Sequence, residues 1–216
     1  MHPLISNTNA QLIDHIADMI DSRFEGSIAK VGIDGFCAAG KTTVANELKK
    51  RLQDRQRRVI SATSDRFMNP AAIRWRQGKE SPEGFYQDAI DFEAIERELL
   101  SPLSENGNKQ YRTSTYDVQK SKADYSELKV AQPGTILIFD GLFLQIPRLS
   151  NHWDVMIYVE ASYDTCISRA KHRNQENLNS PNEIEQVYRR KYVPGFELYR
   201  KEVKPVDNAD YLIKTE

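Results

Sequence analysis

Gly35-Phe36-Cys37-Ala38-Ala39-Gly40-Lys41-Thr42 has the spacing G-x-x-x-x-G-K-[ST], and its reading decides the fold. A glycine at each end lets the backbone curl with its N–H groups inward around phosphate oxygens. The Lys41 ammonium is then set to reach β- and γ-phosphates, and the Thr42 hydroxyl to ligate Mg²⁺. The flanks agree. Residues 28–33 (IAKVGI) read as a buried strand, and residues 44–48 (VANEL) open an amphipathic helix whose N-terminus faces the anion. Gly35, Phe36, Cys37, Ala38, Ala39, Gly40, Lys41, Thr42 and Thr43 therefore form the expected site for a nucleoside triphosphate, ATP or GTP, with Mg²⁺.

Beyond the loop the chain keeps alternating. Residues 58–63 read as the next strand, and residues 78–84, with Gly, Pro and charge, as a surface loop. Asp91 is placed to cap a helix through Phe92, Ile95, Leu99 and Leu100, ended at Pro102. Residues 135–140 (TILIFD) and 155–159 (VMIYV) are apolar runs of parallel-strand type. Residues 164–171 and 181–204 read as helices, and 211–213 as a last strand. Upstream, Thr8 and Gln11 look like a capping box for a helix whose apolar face runs through Ile13, Ile16 and Ile20. The expected fold is α/β, a doubly wound parallel sheet of the P-loop NTPase type, in one domain over residues 1–216. Within it, residues 1–26 hold the N-terminal helix, about 104–132 a small polar insertion on the acceptor side, and about 166–182 a mobile lid.

Thirty basic and thirty-one acidic side chains among 216 residues leave a net charge of −1, which argues against a nucleic-acid binder. No apolar run approaches the ~20 residues of a membrane span, so no membrane partner is expected and the location expected is cytoplasmic. Cys37 and Cys166 suggest neither a disulfide nor a metal site, and His2, His15, His152 and His172 lack ligand spacing.

Three groups of residues would carry chemistry. Asp140 ends its strand where such folds hold an acid near Mg²⁺. Asp65 follows the 58–63 strand at the same sheet edge, as a general base or as an orienter of the attacking hydroxyl. Arg169 and Arg173, four apart, share a helix face that can close over the phosphates.

With the loop, Ser64-Asp65-Arg66-Phe67, Asp88-Ala89-Ile90-Asp91, Thr115-Tyr116-Asp117, Phe139-Asp140-Gly141 and Tyr192-Val193-Pro194 occur in that order. In this the chain resembles uridine kinase-type nucleoside kinases, a group related to phosphoribulokinase and bacterial pantothenate kinase. The resemblance covers roughly residues 28–214. It implies transfer of the γ-phosphoryl of MgATP or MgGTP to a hydroxyl of a small acceptor, a nucleoside first of all. It makes Asp65 the catalytic base, Asp140 the acid of the strand end, Arg169 and Arg173 the lid arginines, and Tyr116 an aromatic contact to the acceptor.

The acceptor side departs from that pattern. A ribose-holding Asp of the family aligns with Tyr86, a pyrimidine-reading His near Ser121, and a late Gln with Lys191. A site that loses such groups should not keep the same selectivity. Arg112, Lys120, Lys122 and Lys191 lie in or near these segments, so the acceptor is expected to carry negative charge or to be a modified or non-pyrimidine nucleoside. A kinase for another metabolite, such as pantothenate or a sugar phosphate, is the second reading. A nucleotide-binding regulator without kinase activity is the third. A GTPase switch lacks its Asn-Lys-x-Asp sequence here. Whether copies of the chain assemble into a homo-oligomer is left open.

Overall fold

The structure, a computed structural model, describes residues 6–173 and 180–215. Helix α1 (Asn7–Arg23) begins one residue before Thr8, because Ser6 is the cap and accepts from the Asn9 N–H. The expected Thr8–Gln11 box gives way to it. Strand β1 (Ala29–Gly35) leads into the phosphate loop and helix α2 (Lys41–Asp54). The acids on the polar face of α1 have a local purpose. Asp14 pairs with Arg51 and Asp21 with Arg57, at 2.6 and 2.8 Å, and Asp18 lies against Arg55, so α1 is clamped to α2 and to the turn that follows it.

Strand β2 (Arg58–Thr63) follows, then short helices α3 (Ala71–Arg74) and α4 (Pro82–Asp88). Residues 78–84 are therefore only half a loop. Ser81 caps the Gly84 N–H and Pro82 starts α4, a start signal that the surrounding Gly and charge conceal. Asp91 caps helix α5 (Phe92–Ile95) as expected, through the Ala94 N–H, and a wider turn over Glu96–Leu100 extends it.

The polar stretch after Pro102 pairs in two small antiparallel ladders, β3 (Gln110–Tyr111) with β6 (Lys129–Val130) and β4 (Tyr116–Asp117) with β5 (Lys122–Ala123). Strand β7 (Thr135–Gly141), helix α6 (Pro147–Ser150), strand β8 (Val155–Glu160) and helix α7 (Tyr163–Arg173) come next. Helix α8 (Pro181–Val187), a wide turn over Tyr188–Tyr192, helix α9 (Val193–Val203) and strand β9 (Tyr211–Lys214) complete the chain.

The main sheet runs β2-β7-β1-β8-β9, parallel throughout. Its central strands read Val, Ile, Leu and Phe without alternation because helices cover both faces and leave β1 buried along its whole length. Register positions the site. Thr63 of β2 and Ile33 of β1 both sit beside Asp140 of β7, so three neighbouring strands end level with one another. Gly141 lets two of those ends close up, since a Cβ there would lie 2.9 Å from the Ser64 side chain. Among the described residues no helix is long and apolar enough to cross a membrane.

Candidate active site

The phosphate loop leaves β1 in a conformation few residues adopt. Gly35 has φ +148°, and a Cβ there would meet the Val159 carbonyl oxygen at 2.3 Å. Ala38 (φ 60°) and Gly40 (φ 105°) are left-handed as well, which turns successive N–H groups to one side. The Phe36 ring points away from the cleft, packed edge-on against Tyr163 and Tyr188, so this residue offers only its backbone. Burial pushes the Cys37 thiol up to about 11, so it is neutral at physiological pH and is a wall residue rather than a nucleophile.

Under the loop lies Asp34, fully buried at the end of β1. It accepts from the Gly35 N–H at 2.7 Å, from Gln145 Nε2 at 3.2 Å and from the Tyr199 hydroxyl. Burial raises its pKa above the ordinary 3.8 even so, with the Tyr199 bond the largest opposing influence. A carboxyl raised in this way favours folding in its protonated form. That contribution is full below the unfolded value and is lost as pH rises through the higher native value. Tyr199→Phe removes the strongest donor to the carboxylate. It is expected to cost roughly 1–3 kcal/mol where the carboxyl is ionised and clearly less once falling pH has protonated it. Urea unfolding over a pH series from neutral into acid measures this; a cost that does not change with pH would contradict it.

A cleft of about 570 Å³ opens at the ends of β1, β2 and β7. It brings together Cys37, Ala38, Gly40, Lys41, Thr42, Thr43, Asp65, Asp140, Arg169, Arg173 and Lys191. The Lys41 ammonium folds back onto the Gly35 and Phe36 carbonyls at 2.9 and 2.7 Å. Thr42 donates to Asp140 Oδ2 at 2.7 Å. Burial raises the Asp140 pKa; the Thr42 bond and Lys41 oppose that, and the nearby Asp65 charge adds to it. Asp65 itself is exposed, one turn past β2. Arg169 donates to the Ala39 carbonyl (3.3 Å) and to Thr215 Oγ1 (3.0 Å), and its Nη2 is buried without a partner among the described residues.

Oxygen donors suit a hard cation. Mg²⁺ takes one or two protein ligands and completes its shell with water and substrate phosphate, and the Thr42–Asp140 pair offers that much. Among the described residues no group of three or more His, Cys, Asp or Glu forms a cage, and Mg²⁺ in this setting requires none.

Of the expected lid, residues 174–179 lie outside the described residues. Its arms are tied together by Lys171–Glu185 (2.6 Å) and Arg189–Asp164 (2.9 Å), so Lys171 between the two arginines belongs to that brace.

Several acceptor-side expectations need correcting. Tyr86 is buried against Phe143 and Tyr199, with its hydroxyl on Glu202, and does not line the cleft. Tyr116 is buried in β4 and is absent from the lining too. Of the four cations, Arg112 turns to Glu98 (3.7 Å) and the Ser126 carbonyl, Lys120 to Asp117 (3.1 Å), and Lys122 to solvent. Only Lys191 faces the cleft. The insertion instead braces the segment behind Asp65, through the Thr115 N–H on the Arg66 carbonyl at 3.0 Å and an Arg66–Asp124 ion pair. Arg74 and Trp75, which sequence reasoning missed, line the cleft with Lys191.

A glycine-hinged loop at one strand tip, facing an acid at each of the next two tips of a parallel sheet, defines a P-loop kinase of the nucleotide and nucleoside kinase type. The chain belongs to the phosphoribulokinase/uridine kinase family, whose model matches residues 30–213. It is 27% identical over 185 residues to uridine-cytidine kinase B of Dictyostelium discoideum, an alignment covering 85% of this chain and 73% of that one. It is 30% identical over 147 residues to a pantothenate kinase of Rhizobium leguminosarum bv. trifolii, covering 62% of this chain but only 44% of that longer protein. A possible uridine kinase from Bacillus stearothermophilus has the same fold, with TM-score 0.73 at 20% identity over 94% of this chain and 97% of that one. The protein is accordingly a phosphotransferase acting on a hydroxyl group of a small molecule.

Proposed function

We propose that the chain transfers the γ-phosphoryl group of MgATP, or of MgGTP, to a hydroxyl of a nucleoside-sized metabolite. The observation that carries this reading is the 2.7 Å contact of Thr42 with Asp140, beside Lys41 and with Asp65 lining the same cleft. The loop N–H groups and Lys41 hold the triphosphate. Thr42 and Asp140, directly or through water, hold Mg²⁺, which when bound neutralises charge on the phosphate oxygens. Asp65 orients the acceptor hydroxyl and takes its proton. Arg169 and Arg173 reach over the phosphates and exclude water, which would compete as acceptor.

The names of the relatives favour a nucleoside. The second reading, an acceptor such as pantothenate or a sugar phosphate, is supported by Tyr86 and Ser121, neither of which lines the cleft. A coupled ADP-release assay over nucleosides, pantothenate and sugar phosphates tests the whole reading. ATP consumption should depend on one acceptor class. ADP release indifferent to every acceptor would favour the regulator instead.

A further inference from the structure

One wall of the cleft is cationic for a reason that phosphoryl transfer does not use. Arg74 ends α3 and Lys191 lies in the wide turn before α9, and both line the cleft. The Arg74 guanidinium lies over the Trp75 ring, 5.3 Å from its centroid, and its Nε is buried without a partner among the described residues. No carboxylate among those residues pairs with it. The Lys191 ammonium donates to the Lys79 carbonyl at 2.6 Å, and Glu80, whose charge acts on it, pairs with Arg190 at 3.4 Å. Burial first, then Arg74 and Lys79, push Lys191 below its ordinary value. Two cations thus line one wall, partly dry and with no carboxylate bonded to either among the described residues, which costs free energy that a bound anion would recover.

The wall is held in place. Asn69 donates to the carbonyls of Asp88 and Ile90, at 3.1 and 3.0 Å. Asp88 is buried, which raises its pKa, but Arg76 and Gln77 more than offset this and keep the carboxyl below its usual range. The loop after Arg74 is therefore fixed from beneath, and the cations are preorganised. The triphosphate has its own cations. Lys41 folds onto the Gly35 and Phe36 carbonyls and Arg169 donates to the Ala39 carbonyl, whereas Lys191 donates to the Lys79 carbonyl.

We infer that the acceptor alcohol carries an anionic group, a carboxylate or a phosphate, held by Arg74 and Lys191 with its carbon skeleton against Trp75 and Tyr192. The inference rests on the kinase reading for the word acceptor, but not for the binding itself. Its test is calorimetry on the whole chain saturated with a non-hydrolysable ATP analogue and Mg²⁺, so that the phosphate loop is filled. Three matched pairs are titrated: pantothenate against panthenol, glycerate against glycerol, and ribulose 5-phosphate against ribulose. The anionic member of at least one pair should bind tighter by about tenfold or more, as a charge-assisted contact provides. Carboxylate and phosphate pairs separate the two sources.

Arg74→Gln and Lys191→Gln should each bring that ratio close to parity with the affinity for the ATP analogue unchanged. Lys122→Gln, a cation that faces solvent away from the cleft, should leave the ratio as it was. Parity in every pair, no binding by any anionic member, or a ratio that survives both substitutions overturns the inference. So does a loss of ATP-analogue affinity in Arg74→Gln. Intact anion selectivity without any ADP release would instead refute the kinase reading and spare the subsite.

Discussion

Asp65→Asn is expected to lower acceptor-dependent ADP release roughly 10²- to 10⁴-fold, the range of a general base. Nucleotide binding should survive. The amide keeps the size of the carboxylate and can still accept a hydrogen bond from the acceptor hydroxyl, but it cannot take the proton. Asp65 is exposed, and among the described residues its side chain makes no hydrogen bond, so removing its charge breaks no folded contact. The charge does act at a distance, adding to the rise in the Asp140 pKa after burial has set it. Without it, one negative charge fewer faces the triphosphate, and its repulsion falls. The ATP analogue should therefore bind as tightly as to the unaltered chain, or slightly tighter. Turnover and affinity measured side by side separate this from general damage. Unchanged turnover would remove Asp65 from the base role.

Much of this arrangement is legible in the sequence because it follows from short-range rules. A loop motif between a buried strand and a helix fixes one strand tip, and apolar runs ending in Asp or followed by Asp fix the others. Parallel pairing then brings those tips level, Thr63 and Ile33 both beside Asp140. The first error lies where a turn signal hides a helix start. Gly78 and Gly84 suggest a loop, yet Ser81 and Pro82 begin α4. Helical spacing then turns Tyr86 into the core against Phe143, so a residue aligned with a sugar-binding position packs instead.

The insertion shows a different limit. Its polar, turn-rich sequence reads as surface, and its cations as available, but Arg112 is bound to Glu98 of the turn before the insertion and Lys120 to Asp117 inside it. Charge composition says nothing about pairing across a loop. Arg74 was missed for the opposite reason. A four-residue helix has no periodicity to expose its face, and nothing local shows that Lys191, more than a hundred positions away, shares its wall. Such pairs become visible only when the fold has brought them together.

Lys41→Ala should lower both nucleotide affinity and turnover, with turnover falling on the order of 10²- to 10³-fold, as when a preorganised charge stabiliser is deleted. Two consequences compete for the explanation. The ammonium braces the loop by donating to the Gly35 and Phe36 carbonyls, at 2.9 and 2.7 Å, and in the proposed function it is also the cation beside the phosphates. Magnitude decides between them. Water entering from the cleft can take over those carbonyls, so the brace is worth about 1 kcal/mol. In a domain of this size that lowers Tm by about 2–4 °C. A 10²- to 10³-fold loss of rate corresponds to roughly 3–4 kcal/mol, more than a loosened loop provides. The two readouts should therefore part company, a small fall in Tm beside a large fall in turnover. Lys41→Arg sharpens the comparison. It keeps the charge but replaces a compact ammonium with a planar fork of different reach and geometry, and so should restore affinity better than rate. A Lys41→Ala chain that melts far below the unaltered protein yet turns over normally per folded molecule would reverse the assignment. Lys41 would then be a brace, and the transferring phosphoryl group would depend on Arg169 and Arg173 for its positive charge.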